Sequence, residues 1–257
     1  MQVTFLGTGT SQGVPMIGCR CTVCRSTDPR DMRMRPSVLL RSPAGAAILI
    51  DTATDLRLQA LTFGIERVDA ILYTHPHADH VFGLDDVRRF NALQRRAMPL
   101  YADARTLGEL RRIFDYAFDP VPQAGGGVPQ IAPREITGPF DLEGLTVVPV
   151  PIRHGQQTIL GFRVGGFAYL TDCSGIPEES LARLEGLDVI VLGALRHRPH
   201  PTHFSLGEAL EAARRVGARR TYFTHMCHDL GHADTMASLP PGCALAFDGL
   251  TIEVSDR

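Results

Sequence analysis

The chain contains no lysine, so every one of its 26 basic residues is arginine. That absence excludes any mechanism needing a lysine amine, a Schiff base among them. No apolar run is long enough to cross a bilayer. The first residues, MQVTFLGTGTSQG, lack the basic stretch and long apolar run of a secretory signal. A cytoplasmic location, with no membrane partner, is therefore the expectation. Six cysteines in such a compartment are expected to be reduced or metal-bound rather than paired. Net charge is also scarce, −2 with neutral histidines, so there is no global pull toward nucleic acid. No linker, low-complexity segment or clear internal repeat interrupts the 257 residues, a length that suits one α/β domain spanning 1–257.

Against those absences stands a regular alternation of strand and helix patterns. Residues 3–6 read as a strand that enters a glycine-rich turn, Gly7-Thr8-Gly9-Thr10-Ser11-Gln12-Gly13. Residues 14–36 form a long, cysteine-bearing stretch with little periodicity, which needs its own reason for order. Strands are expected at 37–41, 46–51, 69–73, 145–152, 158–164, 167–170, 188–192 and 221–224. Gly165-Gly166 and Asp248-Gly249 carry hairpin chemistry, the latter joining the last two strands. Helices are expected at 55–63, 81–93, 106–117, 177–184 and 205–216, the last with Ser205 as N-cap and Glu208 three residues on. Residues 120–133, rich in proline and glycine, read as a surface loop. Two strand-rich halves meet near Gly138 and suggest two packed sheets with helices outside.

Thr74-His75-Pro76-His77-Ala78-Asp79-His80 is the sharpest chemical feature. Four imidazole or carboxylate groups fall within six residues, directly after a buried-type strand, and suit zinc, manganese or iron. A strand end holds such a loop rigidly and sends alternate side chains to different sides. His75 and His77 can face one metal, Asp79 and His80 a second. Further ligands stand just beyond other apolar runs: His154, Asp172 and His225. A carboxylate such as Asp172 can bridge two ions. A polar loop with solvated histidines is the plainer alternative.

Cys19-Arg20-Cys21-Thr22-Val23-Cys24 supplies three thiolates that can wrap one zinc and leave a corner open. Metal binding would give the aperiodic loop its folding free energy. Spacing alone leaves the fourth ligand among Cys227, His228 and His232. Unbound cysteines or a redox pair are the competing reading. Cys173 and Cys243 have no partner spacing and read as small core residues.

The order HxHxDH, then His, Asp and His, resembles the metallo-β-lactamase superfamily over essentially the whole chain. The resemblance implies a four-layer αβ/βα sandwich and two catalytic divalent metals, Mn2+ or Zn2+. His75, His77 and His154 would take the first, Asp79, His80 and His225 the second, with Asp172 between. GTGTSQGVP, CxCxxC, TDCSG and THMCH narrow the match to the PhnP-type phosphodiesterases. That resemblance implies hydrolysis of a cyclic phosphate of phosphorylated ribose, such as 5-phosphoribosyl 1,2-cyclic phosphate. It also implies a structural zinc on Cys19, Cys21, Cys24 and His228. The implied general acid falls among His197, His200 and His203, of which His203 aligns best, and Asp79 counts with it among the catalytic residues. The loop Arg196-His197-Arg198-Pro199-His200-Pro201 departs from the family pattern. Arg196 and Arg198 are candidates for a distal phosphate, with solvated loop positions as the plainer reading.

The implied partner is a small phosphorylated sugar or nucleotide. Relatives of this kind often dimerise, which makes a homodimer possible here, but no residue in this sequence demonstrates one. One rival is a tRNA 3′-processing endonuclease, which needs a basic surface and an RNA-binding arm. Gly125 to Gly127 is too short for that arm, and Arg88, Arg89, Arg95 and Arg96 can simply coat a helix. The other rival is a non-catalytic zinc- or ligand-binding protein.

Overall fold

The computed structural model describes residues 1–119 and 127–255. Its strands, in chain order, are β1 (Gln2–Gly7), β2 (Ser37–Arg41), β3 (Ala47–Ile50), β4 (Ala70–Leu72), β5 (Met98–Ala102), β6 (Ile131–Glu135) and β7 (Phe140–Leu142). They continue with β8 (Leu145–His154), β9 (Gln157–Val164), β10 (Phe167–Leu170), β11 (Val189–Gly193), β12 (Arg220–Thr224), β13 (Cys243–Leu245) and β14 (Thr251–Glu253). The α-helices are α1 (Leu56–Thr62), α2 (Ala78–Val81), α3 (Val87–Gln94), α4 (Ala104–Ile113), α5 (Asp115–Phe118), α6 (Glu178–Leu181), α7 (Leu206–Val216) and α8 (His232–Ser238).

The strands form two seven-stranded sheets, ordered β14-β1-β2-β3-β4-β5-β6 and β13-β12-β11-β10-β9-β8-β7. In the first, the β14–β1, β1–β2 and β2–β3 pairs are antiparallel and the next three are parallel. The second repeats this from β7 inward, with three antiparallel pairs followed by three parallel ones. The halves thus share a topology that no sequence repeat announces. The change of sheet falls between Glu135 and Phe140, where the composition places it.

Side-chain alternation along the strands makes the layers. Ile48, Ile50, Ala70 and Leu72 enter the core between the sheets, where Phe162, Phe167 and Tyr169 meet them. Their neighbours Ala47, Leu49, Ile71 and Tyr73 face the other way, onto Val87 and Leu110 of the helices. Val189 and Val191 join the central core, whereas Ile190 and Leu192 pack on Ala209 and Ala213 of α7. Strands buried on both faces read as continuous apolar runs, which is why these segments are so legible. The result is the expected four-layer αβ/βα sandwich.

Two expectations are corrected. Asp248-Gly249 does not close a hairpin: β13 lies beside β12 in the second sheet, while β14 crosses over to pair with β1 in the first. Asp248 instead accepts hydrogen bonds from Thr8 Oγ1 (2.8 Å) and the Met34 backbone (2.6 Å), so its carboxylate joins the glycine-rich turn to the cysteine-bearing stretch. The loop expected at 120–133 yields its end to β6, an edge strand that tolerates Pro133; residues 120–126 lie outside the described residues. Strands β5 and β7 carried too few β-branched residues to be read. The capping box at Ser205 is present, with the Ser205 backbone donating to Glu208 at 2.7 Å and Ser205 Oγ accepting from the Glu208 backbone at 3.3 Å. It fixes the start of α7 and hence the loop before it, which carries His203.

Candidate metal centre

Six segments bring their polar ends to one edge of the sandwich. Asp51 follows β3, Thr74 to His80 follow β4, His154 ends β8, Asp172 follows β10, and His225 follows β12; His203 comes from the loop before α7. Carboxyl ends of parallel strands commonly form such a crevice. Three of these residues, Asp51 (φ 63°), Asp172 (φ 52°) and His225 (φ 59°), have left-handed backbone although none is glycine. Each such residue costs about 1–3 kcal/mol, a strain the surrounding structure must impose.

The side chains converge. Ligand-type atoms of His75, His77, His154 and Asp172 lie within 4.8 Å of one another, and so do those of Asp79, His80 and His225. Asp172 stands between the groups: its Oδ1 is 3.2 Å from both His80 Nε2 and His225 Nε2, and its Oδ2 is 3.7 Å from His75 Nε2. Asp79 Oδ2 is 3.4 Å from the same nitrogens of His80 and His225. His77 is exposed, whereas the other residues of the two groups are buried.

Hydrogen bonds around this cluster decide where the imidazole lone pairs point. His80 Nδ1 donates to Asp51 Oδ2 at 2.7 Å. His154 Nδ1 donates to the carbonyls of Asp172 and Thr202, each at 2.8 Å. The Thr74 hydroxyl donates to Asp51 (2.8 Å), which leaves its oxygen to accept from His75 Nδ1 at 2.9 Å. A neutral imidazole with Nδ1 protonated has a bare Nε2. Two such nitrogens, on His75 and His80, therefore face the carboxylates of Asp79 and Asp172, and His75 Nε2 also lies 3.0 Å from His77 Nδ1. His80 Nε2 is fully buried without a hydrogen-bond partner. Lone pairs aimed at carboxylate oxygens across 3.2–3.7 Å repel unless a cation is shared among them. The donor set thus fits divalent metal ions.

Without a metal ion to share, the carboxylates instead draw a proton onto a neighbouring imidazole. Burial, and then the positive field of His80, hold His75 well below the usual imidazole range. Burial also disfavours the charged forms of Asp172 and His80, but it is outweighed. His225, His80 and His75 hold Asp172 low, while Asp172, Asp79 and Asp51 hold His80 high. Burial pushes the Asp51 carboxyl up, opposed by His80.

His203 is the one of its three neighbours in the motif that reaches the cluster. Its ring stacks on His225 (4.9 Å between centroids), and its Nδ1 is 3.8 Å from Asp172 Oδ2. Burial, then His225, push it down to about 3. His200 stands one ring further out, 5.1 Å from His203, and His197 is exposed on the surface.

The cysteine stretch forms a second cluster. Sγ atoms of Cys19, Cys21 and Cys24 lie 3.1, 3.4 and 3.4 Å from His228 Nδ1. One ring nitrogen cannot donate to three sulfurs at once. Bond lengths of a tetrahedral zinc site put sulfur and nitrogen ligands ~3.6 Å apart, so the cluster fits zinc. A hydrogen bond from the Cys24 backbone, partly offset by burial, brings Cys21 down to about 7, whereas burial pushes Cys24 up to about 11, so a bound cation would be needed to hold both as thiolates. Neither Cys227 nor His232 takes part: Cys227 Sγ accepts from the Asp229 backbone, and His232 packs edge-on against Phe247.

Two residues escaped the sequence reading. Asp51 is an acid directly after a buried strand, the same pattern that marked Asp172. Arg33 is buried; it donates to the carbonyls of Leu230 (2.5 Å) and Cys227 (3.0 Å) and pairs with Asp31 at 3.2 Å. It clamps the 225–232 loop, which carries both His225 and His228, and nothing local in the sequence marks it.

Fold and site together define a metallo-hydrolase of the αβ/βα class, and the comparisons agree. Residues 46–226 match the β-lactamase superfamily domain. The structure superposes with a TM-score of 0.91 and 46% identity on a diphosphatase from the PhnP family, covering 98% of this chain and 96% of that one. Zinc-bound PqqB from Methylobacterium extorquens shares the fold alone, with a TM-score of 0.76 and 21% identity over 98% of this chain and 100% of that one. An octanoyltransferase of Porphyromonas gingivalis is 37% identical over 259 residues, which is 100% of this chain and 52% of that protein. The chain thus spans about half the length of that curated relative. The chain belongs to the metallo-β-lactamase superfamily and, within it, to the PhnP family. No helix among the described residues is long and apolar enough to cross a membrane.

Proposed function

We propose that the chain is a metal-dependent phosphodiesterase acting on a small phosphorylated compound, such as 5-phosphoribosyl 1,2-cyclic phosphate. The observation that carries this reading is the convergence of the two ligand sets on Asp172, with Nε2 of His75 and of His80 turned toward its carboxylate. His75, His77 and His154 would hold one divalent ion and Asp79, His80 and His225 another, with Asp172 between them. Ions bound there lower the pKa of water and neutralise charge developing on a phosphoryl group. The diphosphatase relative, at 46% identity, supports phosphorus as the electrophile.

The protein's own groups do the remaining work. Asp51 and Thr74 keep His80 and His75 in the tautomer that leaves Nε2 free. His203 lies beside Asp172 and His225, where it can give a proton to the departing oxygen; general acid help of this kind is worth ~10²–10⁴-fold. Burial keeps His203 neutral in the free protein, and a phosphodiester beside it supplies the negative charge that favours its protonated form. A cyclic ester suits the site because the departing oxygen stays tethered to the phosphoryl group in one compact ring while water attacks from outside it.

Cys19, Cys21, Cys24 and His228 would hold a structural zinc, whose binding would order residues 14–36 as part of one domain. None of the six cysteines is disulfide-paired, which supports a reducing compartment such as the cytosol. An RNA substrate is not favoured by a net charge of −2, and within the arginine cluster at 88–96 Arg88 and Arg96 are already paired with Asp85 (3.2 Å) and Asp69 (2.6 Å). The test is a turnover screen of 5-phosphoribosyl 1,2-cyclic phosphate, 2′,3′-cyclic nucleotides and precursor tRNA, with and without added Mn2+ or Zn2+. Metal-dependent turnover of the first supports the reading. Preference for precursor tRNA, or no turnover of any phosphodiester, overturns it.

A further inference from the structure

Three strand ends of the candidate centre carry a threonine directly before their first ligand-type residue: Thr74 before His75, Thr171 before Asp172 and Thr224 before His225. All three threonines are fully buried. β-Branched residues favour strands, so burial alone gives these three no role. Their hydroxyls differ, however. Thr74 Oγ1 bonds Asp51 and His75, as described above. Thr224 Oγ1 has no hydrogen-bond partner among the described residues. Thr171 Oγ1 donates to Asp172 Oδ1 at 2.8 Å.

That bond falls on the carboxylate with the most to do. Asp172 directs Oδ1 toward His80 and His225 (3.2 Å each) and Oδ2 toward His75 (3.7 Å) and His203 (3.8 Å). Its backbone is held from two sides. The carbonyl of this left-handed residue (φ 52°) accepts from His154 Nδ1 at 2.8 Å. Gly193 of β11 lies so near that a side chain on it would stand 3.0 Å from the Asp172 nitrogen. The carboxylate itself is another matter, because the last torsion of an aspartate is broad. Rotation about that bond would exchange Oδ1 for Oδ2 or aim neither oxygen at a ligand set. Among the described residues, the Thr171 hydroxyl is the one hydrogen-bond donor to this carboxylate that is not an imidazole. Branching at Cβ stiffens χ1 of Thr171, so its hydroxyl is a firm anchor.

We infer that Thr171 is a positioning residue for the shared carboxylate: it holds Oδ1 on the side of Asp79, His80 and His225, so that one aspartate serves both ligand sets. The inference rests on the two-ion assignment above and not on the identity of the substrate. The test is a Mn2+ titration of protein stripped at the histidine and aspartate cluster. Calorimetry reads the two affinities. Electron paramagnetic resonance separates a magnetically coupled pair from a lone ion with resolved hyperfine structure. Thr171→Val keeps the shape and removes the hydroxyl. Its second equivalent should bind ~10–100-fold more weakly than in wild type, as for other groups that orient a metal ligand, with the first changed far less. At a fixed, subsaturating Mn2+ concentration the lone-ion signal should grow at the expense of the coupled one. Thr171→Ser should restore most of the coupled signal, and Thr224→Val should match wild type. If Thr171→Val does not fold, Thr171→Ala reads the same quantities; failure of both marks a purely structural residue and overturns the role. An unchanged second affinity in Thr171→Val, equal weakening of both equivalents, or the same loss in Thr224→Val overturns the positioning role alone. Wild-type protein that takes up one ion or none at the cluster overturns the two-ion assignment and this role with it.

Discussion

Replacing Asp51 with asparagine probes the tautomer argument without touching a group that faces the metals. Asp51 is fully buried and accepts from Thr74 N, Thr74 Oγ1 and His80 Nδ1 at 2.8, 2.8 and 2.7 Å. Asparagine has one acceptor atom where aspartate has two. If its oxygen faces Thr74 N, its NH2 faces His80, which must then present a bare Nδ1 and carry its proton on Nε2. That proton occupies the lone pair turned toward Asp79 and Asp172. If the amide is flipped, its NH2 meets the Thr74 N–H instead and a buried donor is left unmet. Loss of such a supporting carboxylate weakens metal affinity by ~10–100-fold, or about 1.4–2.7 kcal/mol. Metal-free stability should change far less, because the lost charged hydrogen bond is offset by relief of a buried carboxylate. Chelator-competition titrations of both proteins at fixed pH measure the first quantity, and urea unfolding without metal measures the second. Wild-type metal affinity in Asp51→Asn would refute the reasoning.

His77 is exposed, so His77→Ala should abolish turnover while the thermal midpoint of the metal-free protein stays within a degree or two of wild type; retained activity would contradict its role. Cys21→Ala should cost the zinc of the cysteine cluster and lower folded yield, read by metal analysis and by proteolysis within residues 14–36; unchanged zinc content would contradict it. Burial pushes the Asp248 carboxyl up to about 7. A group raised in the folded state binds its proton more tightly there than in the unfolded chain. Its contribution to stability is full below pH ~4 and is lost as pH rises through about 7. Asp248→Asn should therefore remove a decline in unfolding free energy between those limits, and identical pH profiles for the two proteins would exclude that assignment.

Much of this was legible because the chemistry sits at the ends of strands buried on both faces. Apolar runs such as 69–73 and 167–170 announce themselves, and a histidine or aspartate directly after one stands out. The ligand sets around Asp172 and the cysteine cluster followed from that rule and from spacing. Asp51 obeyed the rule as well, but without a neighbouring histidine in sequence it carried no chemical flag. Arg33 was invisible because its partners, Cys227 and Leu230, come from the other end of the chain. The false hairpin at Asp248-Gly249 has a physical cause too. The dipeptide favours a tight turn, but pairing is decided by which sheet has an open edge, and β14 found β1 rather than β13. The equivalence of the two sheets lies in strand direction and order, which residue patterns alone do not encode.

The most direct measurement is a metal titration of the fully stripped protein, followed by calorimetry and by phosphodiester turnover in the same samples. The account predicts roughly two equivalents of divalent ion bound beyond the cysteine-held zinc, with turnover appearing as those equivalents fill. A protein that binds no ion at the histidine and aspartate cluster, or that hydrolyses phosphodiesters equally well when stripped, would contradict it.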